Sequence, residues 1–424
     1  MLLNEYEKPT KEHYKIFGLS WAGWIFDFYD LMLFSFLITP MGSELGFSDM
    51  TMSIAIGTSL LATAIGGIIF GALGDKYGRK RVLQWTILIY SFGALLCGFT
   101  WDAVSLIIFR MITGFGVGGE WATGQIYISE TFPAKIRGRF GGIMQTGAPL
   151  GIILAAIVGG FIEPAIGWRF CFMISVIPAL IVVLIRKNLK ESDLWIKNKG
   201  HTDSKSRFKD EYKKLISKDY RKIFLLCLVL CIFGMSAYWF TYTWLPEYLT
   251  GKGLSLVNSA IWVIIVQVGG FLGYLSFGFV SDRIGRRPAF TIYGIIMAIG
   301  ISMITILWNY VITIPYLILV FMFLVGFGTG FFGGYGPLFS EVFPTQIRNT
   351  GMGTVFNLSR GVQFFTPIMI SLISLYADMS YGIFLAALFA LLSAIWIWLL
   401  PETKGTILED VDEKDKLLKD SENI

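Results

Sequence analysis

Two carboxylates three residues apart, Asp27 and Asp30 in WAGWIFDFYD, lie in a stretch from about Ile16 to Pro40 that is otherwise nearly free of charge. A helix entering a bilayer at Ile16 and rising ~1.5 Å per residue would carry them about 16 and 21 Å deep. An ionised acid at that depth is costly unless it is paired, hydrated or protonated, and two close together push at least one towards the protonated form. The chemistry this suits is uptake and release of a proton. The pair shares a helical face with Trp24 and Phe34, while Phe26, Met32 and Leu33 point elsewhere. Arg360 in NLSRGVQFF offers the complementary chemistry, a permanently charged planar fork that fits a carboxylate with two hydrogen bonds. It follows Arg348 by twelve residues, about 18 Å of helical rise. Glu120, ten residues before Glu130, sits ~15 Å from the same end by that count, and Arg110 lies nearer the opposite end. Asp27 or Glu120 paired with Arg110 as a bridge within one bundle is the competing reading of these charges.

Polar side chains without charge fall in the same apolar stretches. Tyr238 and Tyr242 in SAYWFTYTW, and Tyr335 beside three glycines, could present hydroxyl donors to a cavity; an interfacial aromatic belt explains Trp244 without one. Gln145 and Asn357 hold nearly equivalent places in two stretches, and Gln267 lies in a third. They could hydrogen-bond a polar cargo, or they could join helices to one another.

The elements able to hold these groups are membrane spans. Of 424 residues 54% are hydrophobic and 15% charged, against roughly 25% charged in soluble domains, and the mean hydropathy is +0.64. Twelve apolar runs are long enough to cross a bilayer, over 16–40, 51–73, 82–100, 104–129, 139–162, 168–186, 223–249, 257–280, 289–308, 313–340, 351–374 and 379–400. The polar leader precedes a run too long for a cleavable signal, so the first span is expected to remain. Lys and Arg gather in alternate loops, at Lys76 to Arg81, Lys135 to Arg139, throughout 186–222, at Arg283 to Arg287 and at Arg348. The positive-inside rule then puts both termini and the central loop in the cytoplasm of a cell whose plasma membrane the chain crosses. Basic residues that alternate with spans do not make a nucleic-acid surface. The four cysteines fall inside spans, His13 and His201 outside them, and no nucleophile constellation or metal-ligand cluster stands out. An enzyme is therefore not expected, nor a cofactor or metal, with the proton as the coupling ion.

An internal repeat divides the chain. GALGDKYGRKR from Gly71 and GFVSDRIGRRP from Gly278 share G-x-x-x-D-x-x-G-R, with Asp75 and Asp282 207 residues apart. GFGVGGEWATGQIYISETFPAKIRG from Gly114 matches GFGTGFFGGYGPLFSEVFPTQIRN from Gly326, which aligns Glu130 with Glu341 and Arg137 with Arg348. The expected architecture is all-α, with twelve transmembrane helices in two pseudo-symmetric six-helix bundles at 1–186 and 223–400, a cytoplasmic linker at 187–222 and a tail at 401–424. In each loop the glycines would end the helix and allow a tight turn, and Asp75 or Asp282 could cap a neighbouring helix N-terminus.

The repeated loops, RMITGFGVGGE, GAPLGIILAAIVGG and the closing PETKG resemble the major facilitator superfamily over essentially the whole chain. WAGWIFDFYD followed by GGEWATGQIYISETFPAKIRGR is similar to its sialate/monocarboxylate:proton and metabolite:proton symporters. That resemblance implies a monomer working by alternating access. It also implies a conformational latch built from Gly71, Asp75, Gly78, Arg79, Glu130 and Arg137 and their partners Gly278, Asp282, Gly285, Arg286, Glu341 and Arg348. With the intramembrane charges it leads to proton-coupled import of a small organic anion, a monocarboxylate or sugar acid. Two rivals stand beside it. One is a sugar or polyol carrier, which would tolerate loss of Arg360; the other is a transporter-like receptor or channel, which would bind or conduct without accumulation.

Overall fold

The computed structural model describes residues 8–132, 140, 143–186, 190–191, 196, 212–344 and 347–404. Helices dominate them. Twelve segments fall where spans are expected: α1 (Lys11–Leu45), α2 (Asp49–Tyr77), α3 (Arg79–Cys97), α4 (Ala103–Thr131), α5 (Gly147–Ile157), α6 (Trp168–Arg186), α7 (Lys218–Tyr242), α8 (Leu256–Ile284), α9 (Arg286–Ile304), α10 (Pro315–Gly328), α11 (Arg348–Val362) and α12 (Met379–Trp396). Among the described residues nine helices are long and apolar enough to cross a membrane. Of the others, α3 opens on the basic triplet Arg79 to Arg81, and α11 stops at Val362 before its apolar continuation Phe365–Ser374.

Start signals differ at the two ends of the bundle. Away from the basic loops, four helices start at side-chain caps: Ser48 Oγ accepts from Thr51 N at 3.2 Å, Asp102 Oδ1 from Ser105 N at 2.7 Å, Ser255 Oγ from Asn258 N at 3.2 Å and Asp378 Oδ1 from Ser380 N at 2.7 Å; α6 starts after Gly167 and α10 at Pro315 without one. At the basic end α3 and α9 begin directly after Gly78 and Gly285, whose φ of 97° and 105° few other residues adopt.

Several spans are interrupted. After α5 the chain passes through a π-helical turn, Val158–Ile162, just before Pro164, which cannot supply an amide hydrogen to the ladder. α10 continues through a 3-10 turn, Thr329–Phe331, into Phe332–Val342. The first break falls at the end of its span away from the basic loops, whereas the second lies within its span, where such a break can free backbone and side chains for a central site.

The two halves repeat one packing scheme. α2 packs on α4, α3 on α4 and α6, and α1 on α5; correspondingly α8 packs on α10, α9 on α10 and α12, and α7 on α11. The halves meet where α2 touches α11 and where α5 touches α8, two contacts that exchange under the same pseudo-twofold. Gly114 and Gly326, equivalent by sequence, do equivalent work: a Cβ on Gly114 would strike the carbonyl of Ser59, and one on Gly326 that of Val266. Each lets two backbones approach to contact. Gly71 and Gly278 are different. They lie inside α2 and α8 with open space beside them, so the turns fall to Gly78 and Gly285 alone.

Two expected boundaries shift. α7 begins at Lys218, inside the stretch read as linker. α1 begins at Lys11 and runs 35 residues, which brings His13 into it; the buried ring lies 3.1 Å, through Nε2, from the Thr131 carbonyl at the end of α4.

Candidate functional site

Between the halves lies a cavity of about 30 Å³, measured as space open to the centre of a water molecule, enough for one or two waters. α1 contributes Trp24 and Phe28, the helical turn before α5 Gln145, α5 Ala148, α7 Met235, Tyr238 and Trp239, α8 Tyr274, the segment after α10 Phe332, and α11 Phe356 and Arg360. The walls are therefore mostly aromatic, with few polar groups. Arg360 is 2% exposed, its guanidinium lies 5.9 Å from the Phe28 ring centroid, and its Nη2 finds no acceptor among the described residues. Tyr238 Oη is also buried without a partner among them. Donors left in this way meet a ligand with acceptor atoms at little extra desolvation cost.

Asp27 and Asp30 separate into two pairs. Asp27 is fully buried and interacts through space with Arg360, α1 against α11 across the line between the halves. Asp30, one turn on, interacts instead with Arg110 of α4 inside the first half. The Arg110 guanidinium stands 4.6 Å from the Phe34 centroid and reaches Ser59 Oγ at 3.5 Å. Within the first half, Arg110 therefore faces Asp30 as its opposite charge, through space rather than through a hydrogen-bonded bridge. Glu120 is buried against α3, where its Oε2 accepts from Thr86 Oγ1 at 2.7 Å, and it does not line the cavity.

The uncharged polar residues scatter. Gln145 lines the cavity, and its Oε1 accepts from Trp121 Nε1 at 3.2 Å. Trp121 stacks on Phe356 across the halves, centroids 4.1 Å apart and planes 16° from parallel. Tyr238 lines the cavity and packs on Tyr242, which lies behind it next to Gln267, Thr329 and Tyr274. Tyr335 belongs to the interior of the second half, where it packs on Phe290 and Phe339 and donates to the Leu230 carbonyl at 3.4 Å. Asn357 sits at the α2–α11 contact, where a Cβ on Gly67 would run into its amide. Phe28, Tyr274, Phe332 and Phe356 carry no sequence signal that separates them from ordinary apolar packing. Phe28 could have been inferred from its place one residue past Asp27, and Phe356 from its place one turn before Arg360.

The halves also touch above and below the cavity. Thr39 Oγ1 donates to Glu247, and Ser53 Oγ donates to the Pro367 carbonyl at 2.9 Å, at the end away from the basic loops. The Trp121–Phe356 stack lies towards the basic end, where the linker also joins α11 through a 2.9 Å hydrogen bond between the Tyr212 and Thr354 hydroxyls.

At that basic end Arg286 ties the second half's motif together. It holds Glu341 through Nη2 at 2.8 Å and Nε at 3.2 Å, and Asp282 through Nη1 at 2.7 Å; Thr403 Oγ1 adds a bond to Glu341 at 2.6 Å. The helix caps differ from expectation. Asp282 turns to Arg286, and the α9 amides of Arg286 and Arg287 donate to Glu402 at 2.8 and 3.0 Å. In the first half the α3 amides of Arg79 and Lys80 donate to Glu191, at 3.0 and 3.2 Å. A glutamate following the last helix of each bundle thus satisfies the amides and the helix dipole. Burial disfavours the ionised Glu402, but hydrogen bonds from the amides of Arg286, Arg287, Lys404 and Thr403 outweigh it and hold the carboxyl below the usual range. Arg137, and the side chains of Asp75, Glu130 and Arg348, lie outside the described residues.

Residues 20–276 match the family described as Major Facilitator Superfamily, and residues 202–414 match Sugar (and other) transporter. A putative metabolite transport protein of Haemophilus influenzae is 31% identical, over 92% of this chain and 96% of its own length. A probable 4-methylmuconolactone transporter of Cupriavidus pinatubonensis is 30% identical, over 97% and 95%. The sialic acid transporter NanX of Escherichia coli is 31% identical, over 90% and 92%. Among solved structures a D-xylose-proton symporter superposes with a TM-score of 0.76 at 22% identity, covering 93% of this chain and 99% of that one, a likeness of fold.

Proposed function

Since the chain belongs to the major facilitator superfamily, and so is a multi-pass membrane transporter rather than an enzyme, we propose that it imports a small organic anion together with a proton. The observation that supports this most strongly is Arg360, buried in the cavity wall with an unanswered donor and matched in charge by Asp27 of the other half. Relatives named for 4-methylmuconolactone and for sialic acid support an acidic cargo.

The mechanism follows from charge balance. Asp27 and Arg360 together are neutral, so the empty cavity can close. A carboxylate that binds Arg360 leaves the chamber with one net negative charge, and closing it in a low-dielectric interior is costly. A proton on the Asp27/Asp30 pair restores neutrality, and Asp27 is the member on which the incoming anion acts directly. The loaded chamber closes, the halves rock about the α2–α11 and α5–α8 contacts, and cargo and proton leave on the other side. The alternation of basic loops supports a cytoplasmic location for that other side, with the chain in the plasma membrane. No resident cofactor takes part.

The test is uptake by the purified protein in liposomes under an imposed proton gradient, with lactate, pyruvate, sialate, dicarboxylates, aromatic acids and hexoses as cargo. Accumulation of an acid that depends on the gradient and on Arg360 supports the reading. Accumulation of a neutral hexose that survives Arg360→Gln would replace it with a sugar carrier, and current or binding without accumulation with a channel or receptor.

A further inference from the structure

Rings make up most of the lining and come from four helices and the segment after α10, whereas Arg360, Gln145, the tyrosine hydroxyls and the indole N–H groups of Trp24 and Trp239 are its polar groups. Gln145 is already engaged through Oε1 by Trp121. Phe356, backed by Trp121 in a near-parallel stack, presents a flat floor on the basic-loop side, one helical turn from Arg360. Phe28 and Tyr238 stand edge to face opposite one another, 6.3 Å between centroids at 88°. A cargo in this chamber therefore meets one anion-binding fork and several π surfaces.

On the reading that the chain carries an organic anion, we propose that its preferred cargo is a planar, conjugated carboxylate of about one ring, its carboxylate on Arg360 and its π face against Phe356 and the Phe28–Tyr238 wall. Three observations converge on that class. The unpartnered Arg360 Nη2 supplies the recognition of charge. The aromatic lining rewards a flat π system through stacked and edge-to-face contacts, whereas each hydroxyl of a sugar acid beyond those that the Tyr238, Trp24 and Trp239 donors answer loses roughly tenfold in affinity. A chamber with room for one or two waters must part to admit any cargo, and a flat molecule requires the least parting.

Benzoate and cyclohexanecarboxylate isolate this claim, because they match in charge and ring size and differ in planarity and π character. Affinity is read on the purified full chain by quenching of its tryptophan fluorescence and checked by calorimetry, with gluconate and xylose as further probes. Benzoate is expected to bind about tenfold more tightly than cyclohexanecarboxylate, the increment of two aromatic contacts, with gluconate weaker than both. Phe356→Leu should reduce that ratio towards one while cyclohexanecarboxylate still binds, and retained cyclohexanecarboxylate binding also shows that the variant is folded. Equal affinity for the two ring acids, or tighter gluconate, overturns the proposal and leaves the organic-anion reading standing. Binding of xylose with none of the acids overturns both.

Discussion

Replacing Arg360 by Gln should do two separable things. It removes the fork proposed to meet the cargo's carboxylate, a charge-assisted interaction worth about 3 kcal/mol, so KM for a transported acid should rise roughly a hundredfold. It also strands Asp27, which is fully buried and has Arg360 as its opposite charge across the halves. Breaking a buried pair from one side costs about 3–5 kcal/mol, so the single variant should melt well below the wild type. Asp27→Asn in the same chain removes the stranded charge, and the double variant should recover most of the thermal stability without recovering affinity. Melting in detergent and counterflow in liposomes, run on the two single variants and the double, complete the cycle. If Arg360→Gln kept its KM, the guanidinium would not be the anion's anchor. If the double variant melted as low as Arg360→Gln alone, the two charges would not be coupled.

Phe356→Ala removes the ring that Trp121 stacks on across the halves; it should raise the accessibility of cavity cysteine probes from the side of the basic loops, whereas Trp121→Phe, which keeps a ring but removes the N–H to Gln145, should change affinity more than access. Glu402 has a carboxyl held below the usual range, so the stability it contributes is fully present above its unfolded value, about 4.3, and is lost as pH falls through the lower folded value. Glu402→Gln should accordingly lower the melting temperature at pH 7, with the gap to wild type closing in the acid limb; a gap unchanged down to pH 3 would contradict the capping role. Gly326→Ala should cost about 1–3 kcal/mol by pressing on the Val266 carbonyl, while Gly278→Ala, with open space beside it, should be neutral or slightly stabilising; circular dichroism melts of both decide it.

Periodicity and charge alternation reveal the helices and their two-bundle order because a bilayer imposes length and polarity on every span. The repeat locates Gly114 and Gly326, whose equivalence is physical: each admits a neighbouring carbonyl. Asp27 and Arg360 were legible for a related reason, since a charge at membrane depth has few innocent explanations. Their partners were harder to read. Asp27 and Asp30 share a helix face, yet one turn of α1 is enough to point them at different halves, and nothing in spacing alone says that Arg110 takes Asp30 and Arg360 takes Asp27. The helix caps illustrate the same limit. Glu191 and Glu402 lie more than a hundred residues from the amides they accept, so local spacing favoured Asp75 and Asp282. Aromatic walls were the least legible part, because Phe28, Phe332 and Phe356 look in sequence like every other apolar residue that faces a neighbour or lipid.

The central claim, that a proton is carried in with an organic anion through a chamber lined by Arg360 and governed by the buried Asp27 that interacts with it, is tested most directly by a pH-sensitive dye trapped inside proteoliposomes while a transported acid is added outside. Wild type should acidify the interior in step with uptake, and Asp27→Asn should exchange the acid across the membrane without acidification. Uptake by wild type with no proton movement, or acidification that persists undiminished in Asp27→Asn, would contradict the account.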